Sequence, residues 1–254
     1  MGAPLLSPLR CLLSGAGSLL APRACLGCRV PLPCRPPEDP AALLPPAWVC
    51  ARCAAGLERI GAACRFCGRS RGALALPAPR CAACAHEPGG GVALTVALLR
   101  YRRVARRLLH RLKYGGAEEL ALPLGRALGR RVGEVLALHP DLVVVPVPLH
   151  PWRRLRRGFD QAAELALGVA EALERPCLPA LRRRRWTRPL FRLPHDQRAA
   201  VVEGAFRAHA PATVRGRPIL LVDDIRTSGA TLRAAASALR LAGTGRVVAA
   251  VVAR

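Results

Sequence analysis

Eight of the chain's eleven cysteines fall into four pairs of identical spacing: Cys25/Cys28, Cys50/Cys53, Cys64/Cys67 and Cys81/Cys84. A Cys-x-x-Cys turn sets two thiolates on one side of a metal ion, and two such turns complete a tetrahedral four-cysteine zinc site. The four pairs therefore predict about two structural zinc ions. Pairing neighbours makes two successive ribbons, with 21 and 13 residues between their knuckles. The interleaved pairing, 25/28 with 64/67 and 50/53 with 81/84, makes a cross-brace instead. Short closures cost less loop entropy, which favours successive ribbons while leaving the other open. A disulfide framework needs an oxidising compartment, yet the remainder of the chain reads as a cytosolic α/β domain whose one cysteine is Cys177. The chain is accordingly expected to be cytoplasmic. A redox role would need a single reactive pair on a thioredoxin-like unit, and Cys11 and Cys34 read as bystanders. The segment has almost no apolar core of its own, so metal binding is expected to supply its folding energy.

Charge is the second constraint. The 254 residues hold 40 Lys and Arg against 16 acids, and Lys113 is the one lysine. Arg, Ala, Leu, Pro and Gly dominate together, as GC-rich coding DNA produces, and this accounts for Arg in place of Lys. It accounts less well for the scarcity of acids, and a sequence pI near 11.5 predicts attraction to polyanions. A hydrophobic content of 52% excludes a wholly disordered basic tail. No apolar run is long enough for a membrane span. Residues 1–24 are apolar but carry one early charge, Arg10, and are split by Ser-Gly-Ala-Gly-Ser, which reads as a packed lead-in and not as a cleaved signal.

Glu-Pro-Gly-Gly-Gly at 87–91 marks the change of composition, dividing a ribbon domain over 1–90 from a second domain over 91–254. In the second domain 92–101 reads as a strand. Residues 102–114 read as a helix with Val104, Leu108, Leu109 and Leu112 inward. Its opposite face presents Arg103, Arg106, Arg107, His110 and Arg111, and seven basic residues with no acid run from Arg100 to Lys113. That face is either an ordinary solvated surface or, with Lys113, a contact for single-stranded DNA. A second helix spans 117–138, and continuous apolar strands follow at 141–148, 217–224 and 245–253, alternating with helices capped by Asp160 and ended by Gly243. Such alternation predicts a Rossmann-like α/β domain, its parallel sheet covered on both faces.

The strand at 217–224 ends in Asp223 and Asp224 and runs at once into Thr227, Ser228, Gly229, Ala230 and Thr231, then a helix. Ligands of open α/β sheets bind at the carboxyl ends of strands. The amino end of a helix favours phosphate, and the carboxylates can accept hydrogen bonds from a sugar diol or face a magnesium ion. Phosphate beside diol describes a ribose 5-phosphate. Asp223 and Asp224 are thus the candidate catalytic pair. As mere caps, two adjacent acids at the end of a buried strand would be costly without a partner.

This stretch resembles the signature of the type I phosphoribosyltransferases, which implies binding of phosphoribosyl pyrophosphate with Mg2+. Leu-Lys-Tyr-Gly-Gly at 112–116, the run 144–166, Glu-Gly-Ala-Phe-Arg-Ala at 203–208 and the run 222–232, behind paired cysteine knuckles, together resemble the ComF family of competence-related proteins. That resemblance covers essentially the whole chain. It implies a double zinc ribbon joined to a type I phosphoribosyltransferase domain, a role in DNA uptake during natural competence, and competence or helicase proteins as partners. By position it assigns the ribose 5-phosphate to Asp223, Asp224, Thr227, Ser228, Gly229, Ala230 and Thr231. The pyrophosphate would face Pro148 and the loop after it, where Arg153, Arg154, Arg156 and Arg157 are candidates. The departures are Asp160 where the family carries Asn, and Leu190 and Val201 in the stretch where members carry Gln and Asn. They weaken 187–201 as an acceptor site. Two functions remain open: a module that binds phosphoribosyl pyrophosphate and engages single-stranded DNA, or an active transferase with an unknown, nucleobase-like acceptor.

Overall fold

The computed structural model describes residues 23–33, 43–44, 48–71, 80–85, 91–150, 152, 155, 158–184, 201–209 and 211–254. The apolar lead-in before residue 23, Cys34, Arg153, Arg154, Arg156, Arg157 and Leu190 lie outside them. In chain order the elements are α1 (Ala51–Ala55), α2 (Ala82–Ala85), β1 (Thr95–Leu99), α3 (Arg103–Tyr114), α4 (Ala121–Val135), β2 (Val143–Pro146), α5 (Gln161–Leu173), β3 (Leu181–Arg183), β4 (Phe206–Ala208), β5 (Ile219–Ile225), α6 (Ala230–Leu241) and β6 (Val247–Ala253).

Four of the strands form one parallel sheet in the order β1-β6-β5-β2. Each strand is apolar on both faces because each face is covered. Leu220 and Val222 of β5 point into a core shared with α3, α4 and α5. Their neighbours Ile219 and Leu221 point into a second core with Leu232, Ala235, Ala236 and Leu239 of α6. An α/β fold with a parallel sheet is therefore what the strand and helix alternation foretells. Asp160 caps α5, its Oδ1 accepting from the N–H groups of Ala162 at 3.1 Å and Ala163 at 3.3 Å. Its other oxygen accepts from Leu149 N–H at 3.4 Å. Asp160 thus secures both the helix start and the loop after β2.

The antiparallel pair β3/β4 was not foreseen, because three-residue strands reading Leu-Arg-Arg and Phe-Arg-Ala show no period a pattern can use. The pair packs on α6, with Leu181 and Phe206 buried in the second core. No helix among the described residues is long and apolar enough to cross a membrane.

Helices α4 and α5 cross at glycines. A Cβ on Gly168 would lie 2.2 Å from the carbonyl oxygen of Leu122, and one on Gly125 would lie 2.3 Å from that of Leu165. Both obstacles are backbone, so the helices could accommodate a methyl group only by separating. Gly168→Ala is expected to cost about 3 kcal/mol or more, the upper range for overpacking, despite its better helix propensity. Urea unfolding would show a lowered midpoint; an unchanged midpoint would mean that the crossing is looser than described.

The cysteine-rich region is continuous with this fold. Backbone bonds from Ile60 N–H to Leu98 O, Thr95 N–H to Arg65 O and Arg100 N–H to Glu58 O lay residues 58–66 along the outer edge of β1. Leu32, Leu44, Val49 and Leu57 are buried in the same core as Val104 and Leu108 of α3. The core this region uses is supplied by the second half of the chain, in keeping with the expectation that it has little apolar core of its own.

Candidate functional site: two four-cysteine clusters and a loop at the end of β5

The thiols gather as successive pairs. Cys25, Cys28, Cys50 and Cys53 form one cluster and Cys64, Cys67, Cys81 and Cys84 another, the sulfurs of each lying within 4.8 Å of one another. Cys28 and Cys50 sulfurs are 3.7 Å apart and those of Cys67 and Cys81 are 3.8 Å apart. These separations are far beyond a disulfide bond. They match the edge of a tetrahedron with metal–sulfur bonds of about 2.3 Å, roughly 3.8 Å. The two knuckles are built alike: Cys25 sulfur accepts from Cys50 N–H at 3.2 Å, and Cys64 sulfur accepts from Cys81 N–H at 3.2 Å. Burial opposes ionisation of Cys25 and Cys64, but the N–H groups aimed at them prevail and bring their thiols down to about 6 and about 7. Burial and the surrounding sulfurs push Cys53 up to about 12 and Cys84 higher still. A divalent cation at the centre resolves this conflict by letting all four ionise, so the donor sets fit a metal.

At the carboxyl end of β5, Asp223 opens onto a pocket lined also by Arg226, Thr227, Ser228, Gly229 and Thr231 among others. Gly229 has φ +76° and is the residue from which α6 starts. Ala230 N–H donates to Ser228 Oγ at 3.4 Å, and the positive end of the helix faces the loop. Burial, reinforced by the neighbouring Asp224 carboxylate, pushes the Asp223 carboxyl up to about 7, against the opposing influence of Asp224 N–H, Lys113 and Arg183. Asp223 Oδ1 accepts from Asp224 N–H at 2.8 Å.

Asp224 is paired with Lys113 Nζ at 2.9 Å. Burial works against the ammonium charge, but the Asp224 carboxylate outweighs it and raises the lysine's pKa. Lys113, grouped in sequence with the arginines of α3, thus reaches the carboxyl end of β5 from the last turn of that helix. Arg111 turns toward the first cluster, donating to Cys25 O at 3.0 Å. Arg103, Arg106 and Arg107 remain exposed on α3. That helix has no acid in its first turn, so arginine there works against the macrodipole and is not explained by helix stability. Pro148 lies after β2, half-buried, and the four arginines beyond it fall outside the described residues.

No family model matches the chain. A DNA utilization protein YhgH of Salmonella typhi is 30% identical over 239 residues, covering 90% of this chain and 96% of that one. The chain belongs to the ComF/YhgH family. The YhgH protein of Escherichia coli K12 is likewise 30% identical over the same shares of the two chains. Competence protein ComFC of Bacillus subtilis is 29% identical over 78% of this chain and 80% of its own. Among solved structures, a glutamine phosphoribosylpyrophosphate amidotransferase from B. subtilis, complexed with ADP and GMP, aligns with a TM-score of 0.35 at 26% identity. That alignment covers 50% of this chain and 26% of that one.

Three residues of this ComF/YhgH chain reach the site without having been assigned to it. The signal for Lys113 was present: a chain that writes 39 of its 40 cations as arginine keeps a single lysine, and it sits two residues before a Gly-Gly turn. Arg183 comes from the unforeseen β3. Arg226, between the acids and the glycine, is 3% exposed, and nothing in its sequence context separates it from the other arginines.

Proposed function

We propose that the loop after β5 binds phosphoribosyl pyrophosphate, that the two cysteine clusters hold zinc, and that the protein handles single-stranded DNA as a competence-type module. The observation that carries the ligand reading is the juxtaposition of Asp223, Asp224 and Lys113 with a glycine-started helix at the carboxyl end of a central strand. Asp223 and Asp224 accept from the two ribose hydroxyls, while Thr227, Ser228, Thr231 and the start of α6 surround the 5-phosphate. Lys113, 2.9 Å from Asp224, orients that carboxylate. Mg2+ arriving with the ligand supplies charge neutralisation for the pyrophosphate. Pro148 and the arginines at 153, 154, 156 and 157 are assigned to the pyrophosphate side by position.

The DNA role is supported by the names of the relatives and by the excess of positive charge in the second domain, residues 91–254 holding 30 cations against 12 acids. Affinity for an oligothymidylate is expected to fall with salt at a slope of roughly −0.7 per phosphate contacted. Converting Arg103, Arg106 and Arg107 to Glu should flatten that slope and weaken binding at least tenfold, with ligand affinity unchanged. Equal DNA binding by the triple variant would return this face to an ordinary solvated surface. Incubation with phosphoribosyl pyrophosphate, Mg2+ and a panel of nucleobases separates module from transferase: ligand binding without pyrophosphate release is the expected result, and turnover would establish the enzyme instead.

A further inference from the structure

The second cysteine cluster and the loop after β5 are in direct contact, through two arginines. Arg226 turns back beneath the loop, its Nη1 donating to Phe66 O at 3.1 Å, inside the Cys64–Cys67 knuckle. The same nitrogen donates to Thr95 Oγ1, and that hydroxyl donates to Phe66 O at 3.0 Å. The guanidinium carbon lies 5.6 Å from the centre of the Phe66 ring. From its other side Arg226 supports Gly229, where any Cβ would stand 2.8 Å from Arg226 Nε. Arg254, after β6, repeats the link: Nε donates to Cys67 O at 3.1 Å, and Nη1 donates to Arg226 O at 3.0 Å and to Thr227 O. The carbonyls of Phe66 and Cys67 therefore fix two guanidinium groups, and those groups fix the backbone of 226–229. The first cluster has no such direct contact among the described residues; its tie from Cys25 O to Arg111 reaches the site only along α3.

We propose that the Cys64/Cys67/Cys81/Cys84 site sets the shape of the loop, with Arg226 and Arg254 as positioning residues, so that metal occupancy there and phosphate binding at 227–231 are energetically coupled. The knuckle holds the Phe66 and Cys67 carbonyls in place only while its four sulfurs are gathered. Once they are released, a 3%-exposed guanidinium loses the acceptors that offset its burial, and the loop above it loses its support. Coupling is reciprocal, so a ligand that favours the ordered loop must also tighten the metal.

The coupling rests on the phosphate-site reading, and the test keeps the two separable. Full-length protein carrying two zinc ions is mixed with a chromogenic chelator, with and without phosphoribosyl pyrophosphate and Mg2+. Two release phases are expected, assigned with Cys28→Ser, which removes the first site. The ligand should slow the phase of the second site at least about fivefold, the lower end of typical coupling, and slow the first much less. Arg226→Lys cannot reproduce the forked contacts and should lose this protection while still retaining two zinc ions. Should the buried Arg226 variant fail to fold, the more accessible Arg254→Gln makes the same measurement. Calorimetric ligand binding by wild type with equal release from both sites overturns the coupling alone. Ligand protection that survives in both arginine variants overturns the assignment of these residues. An absence of ligand binding overturns the phosphate-site reading and the coupling with it.

Discussion

Replacing Asp223 by Asn is expected to make the protein more heat-stable and to weaken its binding of phosphoribosyl pyrophosphate. The Asp223 carboxyl titrates near 7 in the folded chain, because burial and Asp224 both oppose its charge, against about 3.9 for an unfolded aspartate. Between those values the folded state binds the extra proton. This group's contribution to stability is therefore fully present at low pH and is lost as pH rises through 7. Asn removes the penalty while keeping the shape, so at pH 8 Tm should rise by roughly 2–4 °C, the shift that accompanies about 1 kcal/mol in a chain of this size. Wild-type affinity for the ligand should follow ionisation and rise from pH 6 to pH 8. With Asp224→Asn added, Lys113 also loses its partner 2.9 Å away, and ligand affinity should fall at least a hundredfold, the scale of two charged hydrogen bonds. Melts with and without ligand read both effects, since a bound ligand raises Tm. A double variant whose Tm still rises with ligand would mean that the acids do not face it.

Metal removal should have the larger structural effect. Structural zinc contributes on the order of 10 kcal/mol per site, comparable with the whole stability of a typical domain. Chelation would release Cys25 and Cys53, which are packed in one core with Leu44, Val49, Val104 and Leu108. Loss of order should therefore spread from residues 25–84 into α3. Hydrogen exchange is expected to show protection lost at 58–66 and 103–114 and retained in β5 and β6 after treatment with a chelator. Unchanged protection across 103–114 would show that the cysteine-rich region is an independent unit after all.

The contrast between those two regions also marks what a sequence reveals. The sheet was legible because Val143–Pro146, Ile219–Val222 and Val247–Ala253 are buried on both faces and must be apolar throughout. The knuckles were legible because four identical spacings leave little else to build. Pairing was decided by geometry: the sulfurs of successive pairs meet, as short closures favour. The parts that escaped are those where one residue type serves several purposes. Arg106 faces solvent, Arg111 holds a cysteine knuckle, Arg226 lies buried under a loop and Arg254 clamps its backbone, and no local pattern distinguishes them. Lys113 shows the opposite case. The sequence groups it with the basic residues of α3, but its place in the last turn, next to the carboxyl end of β5, depends on the tertiary fold.

Titration of phosphoribosyl pyrophosphate with Mg2+ into the zinc-loaded full-length protein, followed by calorimetry, measures the central claim. One saturable site per chain is predicted, lost when Asp223 and Asp224 are both replaced by Asn and weakened when Lys113 is replaced by Met. No saturable heat from the wild-type protein, or equal affinity in the double-Asn variant, would contradict it.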